Sequence, residues 1–289
     1  MTSFIQYTLQ GLAAGGFYAL AALGLAVIFG VMGVVNFSHG AMYMLGAVVS
    51  SLLLTELGIT FWAAVLIVPL VMFAFGVLIE RVFVRWLLHL DPLYNFLLTF
   101  GLTLIAVDLV KRQYGVSSLP YVLPAGLDGT LSVGPLTLPT YHAFTAVFAV
   151  VTCLVVGLAL TKTRIGMIVR AATEDSERSR ALGINVSLWV TPVFGFGIAL
   201  AGLAGVLAAP FRAITADMGT NFIIIIFAVV VIGGLGSILG AVVAGFLVGL
   251  VEAYGQAYFS AFAQIAIFVL MAAIILIRPA GLFGKEQQA

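Results

Sequence analysis

Residues 162–180 read KTRIGMIVRAATEDSERSR and carry eight of the 23 formal charges, 12 basic and 11 acidic, of a chain of 289 residues. The rest of the sequence is largely apolar: 63% of all residues are hydrophobic and 8% are charged. A water-soluble domain carries about 25% charged residues, so most of this surface must face lipid. The stretch 162–180 is therefore the segment that most clearly leaves the membrane, and its position orients the molecule.

Long apolar runs divide the sequence into candidate membrane spans, each of which needs about 20 apolar residues. The nine candidate runs are residues 8–30, 40–57, 61–87, 93–111, 140–160, 188–209, 221–234, 237–256 and 261–278. The seventh run is short and leads into the glycine-rich stretch 233–237, so counting it as half of a broken helix gives eight spans. Continuous runs such as 222–232 exclude a transmembrane β-barrel, whose strands alternate. The sequence predicts an all-α polytopic membrane protein with eight or nine transmembrane helices, some of them broken.

Basic residues near span ends predict the orientation, because cytoplasmic loops are enriched in Lys and Arg. With 162–180 in the cytoplasm, the basic residues inside are Arg81, Arg85, Lys162, Arg164, Arg170, Arg178, Arg180, Arg278 and Lys285. Only Lys111, Arg112 and Arg212 then lie outside. This bias predicts an external N-terminus, a cytoplasmic C-terminus, and a single transmembrane domain over 1–289 with a cytoplasmic loop at 161–187.

The longest predicted external segment is 113–139, which contains four prolines and several glycines. Within it, residues 130–138 alternate between apolar and small or polar side chains, which is typical of a small β-hairpin. The segment is equally compatible with a simple connecting loop and with a docking face for an extracytoplasmic partner.

Residues 173–183 have the local signals of a short amphipathic helix. Thr173 suits an N-cap, and the acidic residues that follow it match the positive end of a helix dipole. Gly183 is a natural residue to end such a helix. Local composition alone indicates a solvated helix that joins two spans.

Several motifs together indicate a family. Residues 171–175 (AATED), with Gly183 nine residues after Glu174, resemble the short coupling helix of the membrane subunits of ABC importers. Residues 36–40 (NFSHG), 98–102 (LTFGL), 233–241 (GGLGSILGA) and 278–284 (RPAGLFG) resemble the branched-chain amino acid permease family of these importers. The resemblance covers most of the chain in the right order. Trp86 is a local departure, because family members often carry proline there.

The resemblance implies a function and a set of partners. A permease of this family is a transport subunit, not an enzyme, of the bacterial inner membrane. It works with a second homologous permease, two ATPase subunits and an external solute-binding protein. It has no cofactor of its own, since ATP and Mg²⁺ bind to the ATPases. The implied solutes are branched-chain or other apolar amino acids, with urea and short amides as alternatives. The implied coupling residues are Thr173, Glu174, Asp175, Glu177, Arg178, Ala181 and Gly183.

Polar side chains inside the spans are candidates for the solute pathway, because polar groups in lipid need internal partners and often line pathways. These candidates are Asn36, Ser38, His39, Thr99 and Thr103. The alternative for the first three is structural, with Asn36 or Ser38 capping the second helix and His39 bonding a nearby carbonyl. The threonines could instead bond back to their own helix.

Small residues recur every four or five positions near the eighth run, at Gly236, Gly240, Gly245 and Gly249. Such spacing predicts close helix contact, within the bundle or with a second permease copy.

Other function classes lack their signatures. There is no G-x-x-x-x-G-K-[ST] loop for ATP, and His39, His89 and His142 lack the spacing of a metal site. Basic residues lie at membrane boundaries and indicate no nucleic-acid partner. A self-sufficient secondary transporter or channel usually carries carboxylates in mid-membrane. Here Asp108 and Glu80 lie near predicted span ends beside basic residues, and we expect Glu252 to face the outer water layer.

Overall fold

The computed structural model describes residues 2–88, 90–133, 136–174 and 176–284, and its regular structure is almost entirely helical. The α-helices are α1 Thr2–Met32, α2 His39–Thr55, α3 Phe61–Ile79, α4 Arg85–Leu87, α5 Pro92–Tyr114, α6 Thr140–Lys162, α7 Arg164–Glu174, α8 Ser176–Ala181, α9 Val186–Ala208, α10 Met218–Gly233, α11 Ile238–Tyr258 and α12 Ala263–Ile277. A π-helical segment, Glu80–Val84, joins α3 to α4, and a 3₁₀ turn, Ser260–Phe262, precedes α12.

Six of the described helices are long and apolar enough to cross a membrane: α1, α5, α6, α9, α11, and α3 with its continuation to Leu87. Three shorter apolar helices, α2, α10 and α12, have 17, 16 and 15 residues. Each of the nine predicted apolar runs overlaps one of these nine helices. The all-α polytopic architecture is thus confirmed, while the number of membrane crossings stays a prediction.

Helices α1 and α9 form the centre of the bundle, whereas α3, α5 and α6 expose much of their surface. Small residues on α1 let α11 approach it closely. A Cβ atom added to Gly11 would lie 2.9 Å from the Cα of Leu250, and one added to Gly15 would lie 2.7 Å from the Cα of Phe246. Backbone contact of this kind is how helices associate in lipid, where no hydrophobic force draws them together.

The two ends of the bundle differ in what they carry. At one end, the start of α1 meets the end of α11, where the Thr8 and Tyr254 hydroxyls lie 2.7 Å apart. The same end carries a two-stranded antiparallel hairpin, β1 Thr130–Val133 and β2 Leu136–Pro139, as predicted from the alternation. We call it the hairpin end. At the opposite end, the last turn of α1 contacts α7, and we call it the α7–α8 end.

Helix α5 shows how local sequence sets the helix boundaries. Asp91 accepts a hydrogen bond from the backbone N–H of Leu93 at 2.8 Å, and Pro92 occupies the first turn, where its missing N–H costs nothing. The helix ends at Gly115, whose φ of 77° favours glycine. The loop therefore begins at Gly115, two residues later than the predicted start at 113, because α5 continues to Tyr114.

The segment after α5 is fastened to the hairpin end of the bundle. The Ser51 hydroxyl donates to the carbonyl of Pro120 at 2.8 Å, and the hydroxyls of Ser50 and Tyr121 lie 2.9 Å apart. Leu119 forms an antiparallel bridge with Ile214. These contacts tie the segment to α2 and to the α9–α10 connection.

Helices α2 and α10 both begin inside the bundle and run in opposite directions from a shared contact. A Cβ atom added to Gly40 would lie 2.7 Å from Cβ of Ile223, and the Tyr43 and Phe222 rings stack with centroids 3.6 Å apart. Each of the two helices also follows an irregular stretch of chain. We call residues 33–38, before α2, the first break.

The second break, residues 234–237, lies between α10 and α11 at the α7–α8 end. The chain near the C-terminus closes it, because Leu282 and Phe283 donate backbone N–H groups to the carbonyls of Ile232 and Gly233 at 2.9 and 3.0 Å. These carbonyls belong to the last turn of α10. Carbonyls in the last turn of a helix have no hydrogen-bond partners within that helix. Residues 278–284 therefore cap α10.

Candidate functional site

The charged loop 161–187 folds into two helices, α7 and α8, where one helix over 173–183 was predicted. Thr173 is not an N-cap: it lies in the last turn of α7, and its hydroxyl donates to the carbonyl of Val169 at 2.8 Å. That prediction was wrong because Val169 and Ala172 form an apolar face, 3% and 1% exposed, and α7 packs against α6 and α1. Burial of this face continues the helix through Thr173.

Helix α8 ends as the sequence predicts. Gly183 has a φ of 84°, and the N–H of Ile184 donates to the carbonyl of Ser179 at 3.0 Å, which is the pattern of a glycine-terminated helix. Leu182, just before that glycine, is 82% exposed.

The structure distributes the predicted coupling residues over both helices. Asp175 lies outside the described residues, and Glu174 is the last residue of α7. In α8 and the turn that follows it lie Glu177, Arg178, Ala181 and Gly183. The exposed residues among these four include Arg178, Ala181 and Gly183, so this short helix presents a surface away from the bundle.

The α7–α8 loop is connected mechanically to three helices. It directly continues α6 and leads into α9 after Gly183. The side chain of Thr173 packs against Gly30 in the last turn of α1, and a Cβ atom added to Gly30 would clash with it. A force on this loop would therefore act on α6, on α9 and on the end of central helix α1.

The first break is organised by its own polar side chains. The Asn36 carboxamide oxygen accepts hydrogen bonds from the backbone N–H of Ser38 at 3.1 Å and from its hydroxyl at 2.6 Å. Ser38 stands at the N-cap of α2 but makes no side-chain cap bond. Asn36 thus forms the turn that starts α2, while its amide nitrogen is buried and has no hydrogen-bond partner among the described residues.

His39 is fully buried at the first position of α2. Its Nε2 lies 2.9 Å from the carbonyl oxygen of Ala21 on α1, and its buried Nδ1 has no hydrogen-bond partner in the part of the chain that the structure describes. Its ring packs beside Gly24, where α1 approaches α9, since a Cβ on Gly24 would lie 3.2 Å from Cε1 of His39 and 2.6 Å from the carbonyl oxygen of Gly197. The structure therefore gives His39 the carbonyl partner expected from a structural role.

Thr99 and Thr103, on α5, form hydrogen bonds to the first break. The Thr99 hydroxyl accepts the backbone N–H of Phe37 at 3.2 Å, and the Thr103 hydroxyl donates toward the Phe37 carbonyl at 3.3 Å. Both hydroxyls also bond back to their own helix, at the carbonyls of Asn95 and Thr99. Thr99 and Thr103 thus meet the first break at the Phe37 peptide, whereas the His39 ring turns to α1. All five predicted pathway residues are less than 6% exposed.

An ionic cluster at the hairpin end was missed by sequence reasoning. Arg212 Nη2 donates to Glu252 at 3.0 Å and to the Tyr18 hydroxyl at 2.7 Å, and that hydroxyl donates to Glu252 at 2.5 Å. Glu252 is 6% exposed, so the expectation that it faces water was wrong. Its partner lies forty residues away, a distance at which no sequence spacing predicts pairing.

This cluster stabilises the charged form of the Arg212 guanidinium. Burial alone would lower the pKa of Arg212, but the neighbouring Tyr18 and Glu252 outweigh it, and the pKa is raised. The cluster adjoins a cleft of about 450 Å³.

Glu80 has partners other than the neighbouring Arg81. It is fully buried in the π-helical segment after α3, and its carboxylate accepts the hydroxyl of Thr191 on α9 at 2.6 Å. The other oxygen lies 3.8 Å from Nε of Arg85. Near the hairpin end, Asp108 pairs with Arg112 at 2.6 Å as expected, while Lys111 instead pairs with Asp217 at 2.8 Å.

The predicted packing glycines face other parts of the same bundle. Gly245 and Gly249 on α11 meet α1, where added Cβ atoms would approach the backbone of Ala19 and Gly15. Gly240 faces Gly233 across the second break. Gly236 has a φ of 79° and serves the turn itself.

Comparisons with known proteins agree with this architecture. Residues 7–278 match the model of the family described as the permease component of branched-chain amino acid transport systems. The chain is 30% identical to LivH of Escherichia coli K12, over 98% of this chain and 96% of LivH. It is also 30% identical to BraD of Pseudomonas aeruginosa, over 98% and 97%. Both are described as high-affinity branched-chain amino acid transport system permease proteins.

A second type of permease is also similar. LivM of Escherichia coli K12 is 26% identical, over 92% of this chain and 67% of LivM. The family match covers nearly all of the described helices, and the relatives are transport subunits rather than enzymes. The chain is therefore a multi-pass membrane protein that belongs to the family of branched-chain amino acid permeases of ABC transport systems.

Proposed function

We propose that this chain is the membrane-spanning permease subunit of an ATP-driven importer that carries branched-chain amino acids across the bacterial inner membrane. The observation that carries the proposal is the family match over residues 7–278. The 30% identity to LivH and BraD, over nearly the whole of each chain, supports the same solute class.

The α7–α8 loop is the proposed site of coupling to the ATPase. This chain has no P-loop sequence for ATP, so the work must enter from a partner through a surface. Helix α8 supports this role because it ends in an exposed apolar tip at Leu182. The loop joins α6 to α9 and touches α1, so ATPase closure would shift the centre of the bundle relative to its periphery.

The proposed orientation places the α7–α8 end in the cytoplasm and the hairpin end outside. The unequal distribution of Lys and Arg between the two predicted sides supports it. In this arrangement the loop 161–187 faces the ATPase, and the segment 113–139 faces the external solute-binding protein. Residues 1–289 form one transmembrane domain.

The proposed assembly contains two permeases, two ATPases and the solute-binding protein. Similarity to both LivH and LivM supports a second, homologous permease beside this one. ATP and Mg²⁺ would be bound by the ATPases, and this chain would need no cofactor. The solute pathway would include the region around Asn36, Ser38, His39, Thr99 and Thr103.

The test is ATP-dependent uptake of labelled leucine by vesicles that contain the full importer, with urea and acetamide as competitors. We expect uptake to require internal ATP and to be blocked by excess isoleucine but not by urea or acetamide. Uptake driven by an ion gradient without ATP, or uptake of urea in place of leucine, would overturn the proposal.

A pair of variants tests the coupling surface. Leu182→Asp puts a charge on the exposed tip of α8, and we expect it to abolish most uptake while the protein stays folded, since an unpaired charge in an interface is costly. The matched control is Leu57→Asp, an equally simple change at a 67% exposed leucine between α2 and α3. Wild-type uptake by Leu182→Asp would refute the coupling role of α8.

A further inference from the structure

We propose that the cleft beside Arg212 is a binding site for the α-carboxylate of an apolar amino acid, which enters it from the hairpin end. The cleft lies between the start of α1, the start of α6, the end of α11 and the α9–α10 connection, and its volume is about 450 Å³. This falls in the range of small-molecule sites. The inference rests on the proposed function, because that function supplies the solute and the external orientation of this end.

Arg212 has donors to spare for a ligand. All guanidinium hydrogen bonds found among the described residues come from Nη2, which leaves Nη1 and Nε available. The Arg212 side chain is 36% exposed and lines the cleft. A guanidinium is the side chain best suited to a carboxylate, because its donors lie in a rigid plane that matches the two oxygens.

Glu252 and Tyr18 act as positioning residues for that guanidinium. Glu252 Oε1 accepts from Arg212 and from Gln256, and Oε2 accepts from Tyr18 and Arg212. The carboxylate is thus occupied by protein donors and is not the ligand for an ammonium group. It cancels the charge of Arg212, so the site as a whole is neutral and suits a ligand that is itself neutral overall, such as a zwitterion.

The remaining walls of the cleft are of two chemical kinds. Phe17, Phe211, Ala13 and Ala14 provide apolar surface for an aliphatic side chain, and the Arg212 guanidinium lies 5.5 Å from the centroid of Phe17. Gln10 and Gln256 provide neutral amide oxygens for an ammonium group, and the ring of His142, whose Nδ1 has no hydrogen-bond partner among the described residues, also lines the cleft. An apolar amino acid presents these same three groups: a carboxylate, an ammonium and a hydrocarbon side chain.

A purely structural ion pair is the alternative, in which Arg212 and Glu252 only tie α11 to the α9–α10 connection. That role requires the pair but predicts no effect of amino acids on the accessibility of the cleft. A labelling experiment separates the two. The single cysteine, Cys153, is buried, so a Cys153→Ala background leaves any introduced cysteine as the only reactive thiol.

The experiment labels the Ala14→Cys variant, whose side chain lines the cleft and contributes none of its polar groups, with a membrane-impermeant maleimide. The complex of permeases and ATPases is reconstituted in vesicles without the solute-binding protein, so that leucine is free in solution. We expect L-leucine to slow labelling by the factor 1 + [L]/Kd, about fivefold at four times the dissociation constant. Leucinamide, which lacks the carboxylate, should slow it far less at the same concentration. The matched control is Ser260→Cys, an exposed site nearby at the same end, whose labelling should not change.

Each outcome decides the proposal. Protection by leucine that is lost with Arg212→Gln and partly kept with Arg212→Lys would support it. Equal protection by leucine and leucinamide, or no protection by leucine in vesicles that import leucine once the solute-binding protein is added, would overturn the site while leaving the proposed function intact. Vesicles that import no leucine under those conditions would overturn the proposed function and, with it, this inference.

Discussion

The two breaks in the bundle satisfy their backbone groups in opposite ways. The first break, residues 33–38, relies on side chains: the Thr99 and Thr103 hydroxyls reach across from α5 to the Phe37 peptide. The second break, residues 234–237, relies on backbone, because residues 278–284 cap α10 through the N–H groups of Leu282 and Phe283. In lipid every polar backbone group needs an internal partner, and this chain meets that need with side-chain hydroxyls at the first break and with backbone N–H groups at the second.

The difference indicates which break can move. A hydroxyl can exchange one backbone partner for another by rotating, and each bond contributes only about 0.5–1.5 kcal/mol. Glycine contacts at the second break leave no such freedom, since backbone there touches backbone. We therefore expect the first break to rearrange during transport and the second to stay fixed, and the following variants test that contrast.

The largest effect is expected at the second break, from Gly234→Ala. Gly234 has a φ of 101°, and an added Cβ would lie 2.5 Å from the backbone nitrogen of Gly284. Strain and overpacking together should cost about 2–5 kcal/mol, which we expect to see as a large fall in the thermal unfolding midpoint of the purified permease in detergent.

Gly58→Ala is the control for that prediction. Gly58 also has a positive φ, 61°, but an added Cβ would meet no atom within 4 Å. We expect it to lose only about 1–2 kcal/mol, the cost of the left-handed backbone alone. Equal losses in the two variants would show that residues 278–284 do not close the second break tightly.

Sequence reasoning succeeded where a single element decides its own structure. The nine apolar helices follow from the length of their runs, because lipid selects continuous apolar stretches. The hairpin at 130–139 and the stop at Gly183 follow from alternation and from glycine. Thr173 was misassigned because its local pattern fits an N-cap, whereas the buried face of α7, with Val169 and Ala172, continues the helix past it.

The features that sequence did not predict join residues far apart in the chain. Arg212 and Glu252 lie forty positions apart, and Thr99 meets Phe37 across 62 positions. Capping of α10 by residues 278–284 is of the same kind. The resemblance identified the motifs at 36–40, 98–102 and 278–284 without giving their physical roles, which depend on how distant helices pack.

An intermediate effect is expected at the first break, from Thr99→Val. The substitution keeps the shape of the side chain but removes the acceptor for the Phe37 N–H, which would be left without a partner at a cost of about 1–3 kcal/mol. Thr103→Val should cost less, because it removes a donor to the Phe37 carbonyl rather than an acceptor for an N–H, and an under-satisfied carbonyl is more common in native proteins than an orphaned N–H. Both are measured as shifts in the unfolding midpoint and as leucine uptake.

Thr161→Val is the matched control for the threonines, since its hydroxyl bonds only within α6, at the carbonyls of Gly157 and Leu158, and is exposed. We expect a change within about 0.5 kcal/mol. If Thr99→Val behaves like Thr161→Val in both stability and uptake, the first break does not depend on α5, and the contrast between the breaks fails.

The smallest effect is expected at the helix starts that follow the two breaks. Ser237 caps α11 by accepting the Gly240 N–H at 3.1 Å, whereas Ser38, at the same position before α2, makes no such bond and donates to Asn36 instead. Ser237→Ala should therefore cost about 1 kcal/mol, the usual value of a lost cap, with uptake little changed because the second break is fixed. Ser38→Ala leaves α2 uncapped as before but loosens the Asn36 turn, so we expect a smaller loss of stability with a larger change in leucine uptake. The reverse order, with uptake more sensitive to Ser237→Ala, would place the moving part at the second break.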